Sequence, residues 1–148
     1  MQVRRIERDD LNSHYLNLSS QLSPLPDDSR NVNFDKIWST FINNNNHHVI
    51  VAVQKILDSP KSSNLVVGTG SLLIERKLTG RIAGRIEDVV ILREYRKLGI
   101  GAAIITSLID TAIQEKCYKV TLSCSDKNVP FYAKIGFSKI DNGMKLVI

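Results

Sequence analysis

Within this 148-residue chain, the run Arg96-Lys97-Leu98-Gly99-Ile100-Gly101 has the residue types and spacing best suited to chemistry. It stands where a strand-like segment gives way to a helical one. Glycines at such a junction let bare backbone N–H groups approach an anion, and the positive end of the following helix dipole adds to the attraction. Arg93, Arg96 and Lys97 can neutralise phosphates at the rim, so the pattern points to a polyphosphate-binding loop. Two other phosphate loops fail on the same residues. A Walker loop needs Gly-Lys-Ser/Thr, whereas Gly101 is followed by Ala102-Ala103. A dinucleotide fingerprint wants a small residue three places beyond its second glycine, and Ile104 stands there. The bland alternative is a pair of turn glycines opening an ordinary helix.

The surrounding pattern supplies elements to hold that loop. Gly84 to Leu92 reads as a strand carrying two adjacent acids, Glu87 and Asp88, which is unusual within a strand. From Gly99 to about Glu115, Ile100, Ile104, Ile105, Leu108, Ile109 and Ala112 mark one apolar helical face. Lys119 to Cys124 returns to strand alternation. Asn128 can cap a short helix with Pro130 in its first turn, and Gly136 closes it. Upstream, Val3 to Ile6 reads as a strand, and Asp9 can cap a helix carrying Leu11, Tyr15, Leu18 and Leu22 that stops at Pro24 and Pro26. Phe34, Ile37, Trp38 and Phe41 mark a second helix, and the polar tract Asn43 to Asn46 with His47 and His48 reads as a turn. Val49 to Ile56 and Leu65 to Glu75 form a predicted hairpin around the loop 58–64. The tail, Phe137 to Ile148, bends at Asp141-Asn142-Gly143 and is expected to add one or two closing strands.

The order of strand, two helices, three strands, helix, strand, helix and strand is uninterrupted by repeats or linkers. It implies an α/β fold with helices on the faces of a mixed sheet, in a single domain spanning residues 1–148. The formal charge of +5 favours anionic partners, but the basic residues are scattered, and no nucleic-acid arm is expected. Cys117 and Cys124 lack zinc or disulfide-framework spacing and read as free thiols. His14, His47 and His48 have no ligand partners at metal spacing, so no metal is expected. With no apolar signal or bilayer-spanning run, the expectation is a cytoplasmic protein without membrane contact.

Arg96-x-x-Gly99-x-Gly101 resembles the acetyl-CoA pyrophosphate loop of the GNAT superfamily, Gln/Arg-x-x-Gly-x-Gly/Ala in the same strand-to-helix setting. A narrower similarity is to the eukaryotic glucosamine-6-phosphate N-acetyltransferases. It is carried by Ile74-Glu75-Arg76-Lys77, Gly84-Arg85-Ile86-Glu87-Asp88-Val89, Cys117-Tyr118-Lys119 and Asn128-Val129-x-Phe131-Tyr132-x-Lys134-x-Gly136-Phe137. It covers the second half of the chain well and the first half loosely.

The resemblance implies the GNAT fold, a mixed, mostly antiparallel twisted sheet flanked by helices. It also implies direct acetyl transfer from acetyl-CoA to the amine of glucosamine 6-phosphate, feeding UDP-N-acetylglucosamine synthesis, with no acyl-enzyme. Acetyl-CoA contacts are implied for Val89, Val90, Ile91, Arg96, Lys97, Leu98, Gly99, Ile100, Gly101, Ala102, Asn128, Tyr132 and Lys134. Tyr132 would stabilise or protonate the departing thiolate, and a backbone N–H near Val90 would polarise the thioester carbonyl. Glu87 and Asp88 match substrate-binding acids that help to deprotonate the amine. Lys77, Tyr118 and Lys119 match positions lining the sugar-phosphate pocket, partly across a homodimer interface, and Ser23 approximates a family Thr.

The chain departs from the pattern where Ser123 replaces an acid and Val147 replaces an Arg, with Asp126 and Lys145 as local substitutes. The loop from Lys77 to Gly84 is also shorter. Two other functions share the loop: acetylation of a protein or polyamine, which would want an acidic groove, and a non-catalytic acetyl-CoA sensor.

Overall fold

A computed structural model describes residues 1–24, 32–56 and 64–147. Its sheet runs in the order β1-β2-β3-β4-β5, with β1 at Gln2–Arg5, β2 at His47–Lys55, β3 at Asn64–Arg76, β4 at Ile82–Ile91 and β5 at Lys119–Leu122. The first three pairings are antiparallel, and β4 with β5 is parallel. A parallel neighbour requires a crossover rather than a hairpin. That crossover is the helix α3, Ile100–Gln114, which packs on β2, β3 and β4.

The periodic apolar face of α3 becomes the main core: Ile104, Ile105 and Leu108 are fully buried, with Ile50, Ala52, Val67, Leu72 and Ile86 beneath them. Gly70 makes the close approach possible. A Cβ on it would lie 2.9 Å from Ile104 Cγ2, inside contact distance. The opposite face carries two short helices, α1 (Ser13–Ser19) and α2 (Phe34–Ile42). Leu18 of α1 is buried against Val49, Val51, Val53, Val66 and Val90. No residue of α2 is buried. α2 is held on as an amphipathic helix, started by Asn33, whose side chain accepts from the Lys36 N–H at 2.9 Å.

Several expectations change. Asp9 does not cap α1; it sits in a 3-10 turn at Arg8–Asp10, and the Asn12 side chain accepts from the His14 and Tyr15 N–H groups at 2.9 and 3.3 Å. Asp10 instead closes its turn through Arg4 and the Glu7 N–H. The helix ends at Ser19, leaving Leu22 exposed beyond it. His47 and His48 are not in the turn, because they open β2, paired with Leu73 and Leu72. β5 stops at Leu122, so Cys124 lies outside it.

Asn128 precedes α4, Val129–Ile135, but its side chain makes no capping bond, since a 3-10 turn at Asp126–Asn128 leads directly into the helix. The expected closing strands do not form in residues 137–147: Met144, Leu146 and Val147 are largely exposed, and among the described residues no strand pairs with them. Pro26 and the loop residues 58–63 lie outside the described residues, as does Ile148.

Candidate active site

The β4–β5 ladder ends at Ile86 with Leu122. β4 nevertheless continues to Ile91, still paired with β3 through Thr69–Val90 and Gly68–Ile91. From Glu87 onward, β4 therefore has, among the described residues, a strand on one edge only, and its other edge offers backbone donors and acceptors to a ligand. The opening lies between the end of β4, the start of α3 and the start of α4.

Its far end is the glycine loop. Lys97 and Gly99 both adopt left-handed backbone conformations, with φ of 66° and 79°. Such turns draw successive amides into a concave, anion-binding nest. The first helical bond runs from the Ala103 N–H to Gly99 O at 3.0 Å, so the amides just ahead of it precede the ladder. A Cβ on Gly101 would meet Phe131 Cζ at 3.3 Å and Ile91 Cγ1 at 3.9 Å. Loop, strand end and α4 converge on that glycine, and the residues fit a pyrophosphate on bare backbone. Arg96 is tied down instead: its Nε donates to Ile91 O at 3.0 Å and its guanidinium to Gln21 Oε1 at 3.2 Å. It straps the loop to β4 and to the end of α1, leaving exposed Lys97 and Arg93 to meet phosphate charge.

The adjacent acids have a structural cause. Thr69 pairs with Val90 and Ser71 with Glu87, so Asp88 and Val89 together face the single residue Gly70. This is a β-bulge, and Asp88 takes a left-handed φ of 54° within it. The bulge re-aims Asp88 into a cavity of about 710 Å³ beneath α1 and α2. Tyr15, Ser23, Trp38, Phe41, His47 and Ser71 share its wall. Trp38 and Phe41 pack with centroids 5.5 Å apart, and His47 meets Phe41 edge-on at 5.2 Å. The Tyr15 hydroxyl lies 3.3 Å from Thr69 Oγ1. Burial pushes the Tyr15 phenol above its ordinary pKa, a shift opposed by Thr69. Burial pulls His47 below its ordinary value, and the charge of Asp88 opposes it.

A second cavity, about 390 Å³, is lined by Glu75, Lys77, Arg85, Lys119 and Thr121. Lys77 binds Glu75 at 2.9 Å, which raises the lysine and lowers the acid. Glu87 pairs with Arg85 at 3.0 Å. Arg81 lies 3.7 Å over the Tyr118 ring, which takes Tyr118 into a surface stack beside this cavity. Tyr132 lines neither cavity. It is buried in the α3 core with Phe131 and Phe137 edge-on at 4.9 and 5.9 Å, and burial raises its phenol pKa.

The candidate residues thus fall into three groups. Val89, Val90, Ile91 and the loop Arg96–Ala102 surround the strand opening, with α4 and Tyr132 on its flank. Ser23 and Asp88 share the larger cavity, and Lys77 with Lys119 the smaller. Asn128 and Lys134 are exposed at the two ends of α4. Ser123 is exposed just past β5, Asp126 pairs loosely with Lys139 at 3.9 Å, and Lys145 lies in the exposed tail. Sequence reasoning missed Tyr15, Trp38 and His47 as site residues. The first two were visible only as helix-face apolars, and His47 was hidden in a polar tract. Among the described residues, no group of three or more His, Cys, Asp or Glu could hold a metal.

A glycine nest opening a crossover helix beside a parted parallel strand pair agrees with the family comparison: the sequence profile described as "Acetyltransferase (GNAT) family" matches residues 9–137. The chain belongs to the GNAT family. Among curated GNAT relatives, a glucosamine 6-phosphate N-acetyltransferase of Trypanosoma brucei brucei is 45% identical over 83 residues, 55% of this chain. The chain spans only 56% of that relative's length. A probable glucosamine 6-phosphate N-acetyltransferase 2 of Oryza sativa subsp. japonica is 31% identical over 150 residues, covering 100% of this chain and 87% of that one. The crystal structure of glucosamine-6-phosphate N-acetyltransferase from Arabidopsis thaliana superposes with TM-score 0.84 at 28% identity, covering 99% and 97%. A Trypanosoma brucei acetyltransferase gives 0.82 at 34% identity, covering 99% of both.

Proposed function

We propose that this GNAT protein transfers acetyl from acetyl-CoA to the amine of glucosamine 6-phosphate, giving N-acetylglucosamine 6-phosphate and CoA for UDP-N-acetylglucosamine synthesis. The observation that carries the reading is the free edge of β4 from Glu87 to Ile91. It runs from the glycine nest at one end to the Asp88 bulge at the other. A donor bound along that edge would have its diphosphate on the nest and its thioester beside the acceptor acids. Acetyl-CoA supplies an activated acyl group.

The chain supplies position and charge. Amides of the Lys97–Ala102 turn bind the diphosphate, with Asn128 and Lys134 at its border. The backbone of Val89–Ile91 aligns the pantetheine arm, and an N–H near Val90 stabilises the oxygen that gains charge. Glu87 and Asp88 accept hydrogen bonds from the acceptor, with Ser23 on the opposite wall. Lys77 and Lys119, near Tyr118, offer the cationic surface a sugar phosphate needs. The Tyr132 phenol is uncharged at neutral pH and burial raises its pKa further, so it holds a proton to donate to the leaving thiolate.

The homodimer implied by the resemblance is supported by the outer edge of β5 and the exposed apolar tail residues Met144 and Leu146, which among the described residues have no strand partner. A cytoplasmic location is part of the same reading; no helix among the described residues is long and apolar enough to cross a membrane. Thiol release from acetyl-CoA, measured across a panel of amines, tests the function. Turnover with glucosamine 6-phosphate is expected. Release with another amine and none with this sugar would reassign the acceptor.

A further inference from the structure

Acylation of an amine that arrives as ammonium requires a base, and Ser123, at the family's acid position, offers only a hydroxyl and lies exposed beyond β5. Among the described residues, four titratable side chains line the large cavity: Tyr15 from α1, Lys36 from α2, His47 from β2 and Asp88 from β4. His48, next along β2, is directed to the other face of the sheet, where Arg5 and Glu115 meet it. Burial raises the Tyr15 phenol, which holds its proton, and a lysine ammonium such as that of Lys36 offers donors and no acceptor. A carboxylate is a weak acceptor for this step, because an efficient base has a pKa near the working pH, where imidazole naturally lies.

We propose that the imidazole of His47 is the general base of the acceptor site, a role that rests on the acetyl transfer proposed above. The amine nitrogen forms the bond to the acetyl carbon, and the C–S bond breaks with its electron pair leaving on the CoA sulfur. Two protons leave nitrogen: His47 takes the one that frees the lone pair of the arriving ammonium, and the second, released as the amide forms, ends on the CoA thiolate. The geometry suits this. His47 opens β2 beside the cavity, its ring is fixed edge-on by Phe41, and Asp88 shares the same wall to stabilise the imidazolium that forms. Burial keeps the resting imidazole uncharged at neutral pH, ready to accept.

The test compares wild type with His47→Gln and His47→Asn, using acetyl-CoA and glucosamine 6-phosphate, with kcat measured against pH and folding checked by melting temperature. Folded variants are expected to lose roughly 10²–10⁴-fold in kcat and the acidic limb of the profile, with KM for acetyl-CoA unchanged. Added imidazole should restore part of the activity of His47→Ala. A folded variant that keeps wild-type kcat, or loses rate while its acidic limb stays in place, overturns the assignment. So does a wild-type profile flat between about pH 5 and 7, a readout needing no variant. If wild type rejects this sugar and acetylates another amine of the panel, only the acceptor reading falls, and the same variants are measured on that amine. A wild type acetylating none overturns both.

Discussion

The two faces of the sheet are covered by different means. On one, a 15-residue helix buries Ile104, Ile105 and Leu108 completely and presses its first turn against the end of β4. On the other, helices of 7 and 9 residues leave a cavity of about 710 Å³, and the longer of them buries nothing fully. The difference follows from what each side would bind. A diphosphate held by backbone amides needs those amides fixed, as the packing of α3 and the hydrogen bonds of Arg96 to Ile91 and Gln21 fix this loop. An acceptor read by side chains needs space and walls that can be exchanged.

Stability should separate the two faces most strongly. Leu108→Ala on α3 is expected to cost about 2–5 kcal/mol, because the side chain is fully enclosed and its removal leaves a cavity. Ile37→Ala on α2, where the side chain is 45% exposed, should stay within about 0.5 kcal/mol. Urea denaturation checks both, and comparable losses would break the contrast. The activities should divide the other way. Gly101→Val places methyls where a lone Cβ already stands 3.3 Å from Phe131, so KM for acetyl-CoA should rise on the order of tenfold, about 1.4 kcal/mol. Trp38→Ala, on the cavity wall, should raise KM for the acceptor, by a smaller factor, with acetyl-CoA binding unchanged. Steady-state kinetics with each substrate varied separates the two, and a matching rise in both KM values for either variant would mean the faces are not independent.

The same division governs what could be read from residue order. α3 was legible because a buried helix writes its period in the chain, and the loop because its glycines must stand at fixed offsets from its start. β2 to β4 were legible from dense β-branched runs. The bulge at Asp88 was visible only as two acids in a strand, because the missing information was the partner register at Gly70. The Asn12 cap was masked by the nearer acids Asp9 and Asp10, which serve a separate turn. The tail failed for a different reason. Its spacing at Met144 and Leu146 is strand-like, but a strand needs a partner, and none among the described residues meets it. Tyr15 and Trp38 look like any amphipathic helix until the cavity exists.

The smallest effect expected comes from His48, which points to the face opposite its neighbour His47. His48 is buried on the α3 side, where an Arg5 guanidinium donates to Nδ1, leaving Nε2 to carry the proton 3.6 Å from Glu115. Burial lowers its pKa first, and Arg5 lowers it further, against the raising influence of Glu115. The folded chain then binds a proton less readily than the unfolded chain, whose histidine titrates near 6.5. Between the folded value and about 6.5 the unfolded state holds more protons, so stability rises with pH through that window. The contribution is complete above about 6.5 and is lost as pH falls through the window. His47 is shifted the same way and adds with the same sign. Thermal melts of wild type and His48→Gln between pH 7.5 and pH 5 isolate the buried residue, because glutamine can still accept from Arg5 without titrating. The wild-type melting temperature should fall more steeply below about pH 6.5 than that of the variant. A constant difference across the range would mean that Glu115 closes on His48 when it protonates, and that the packed face tolerates charge as readily as the open one.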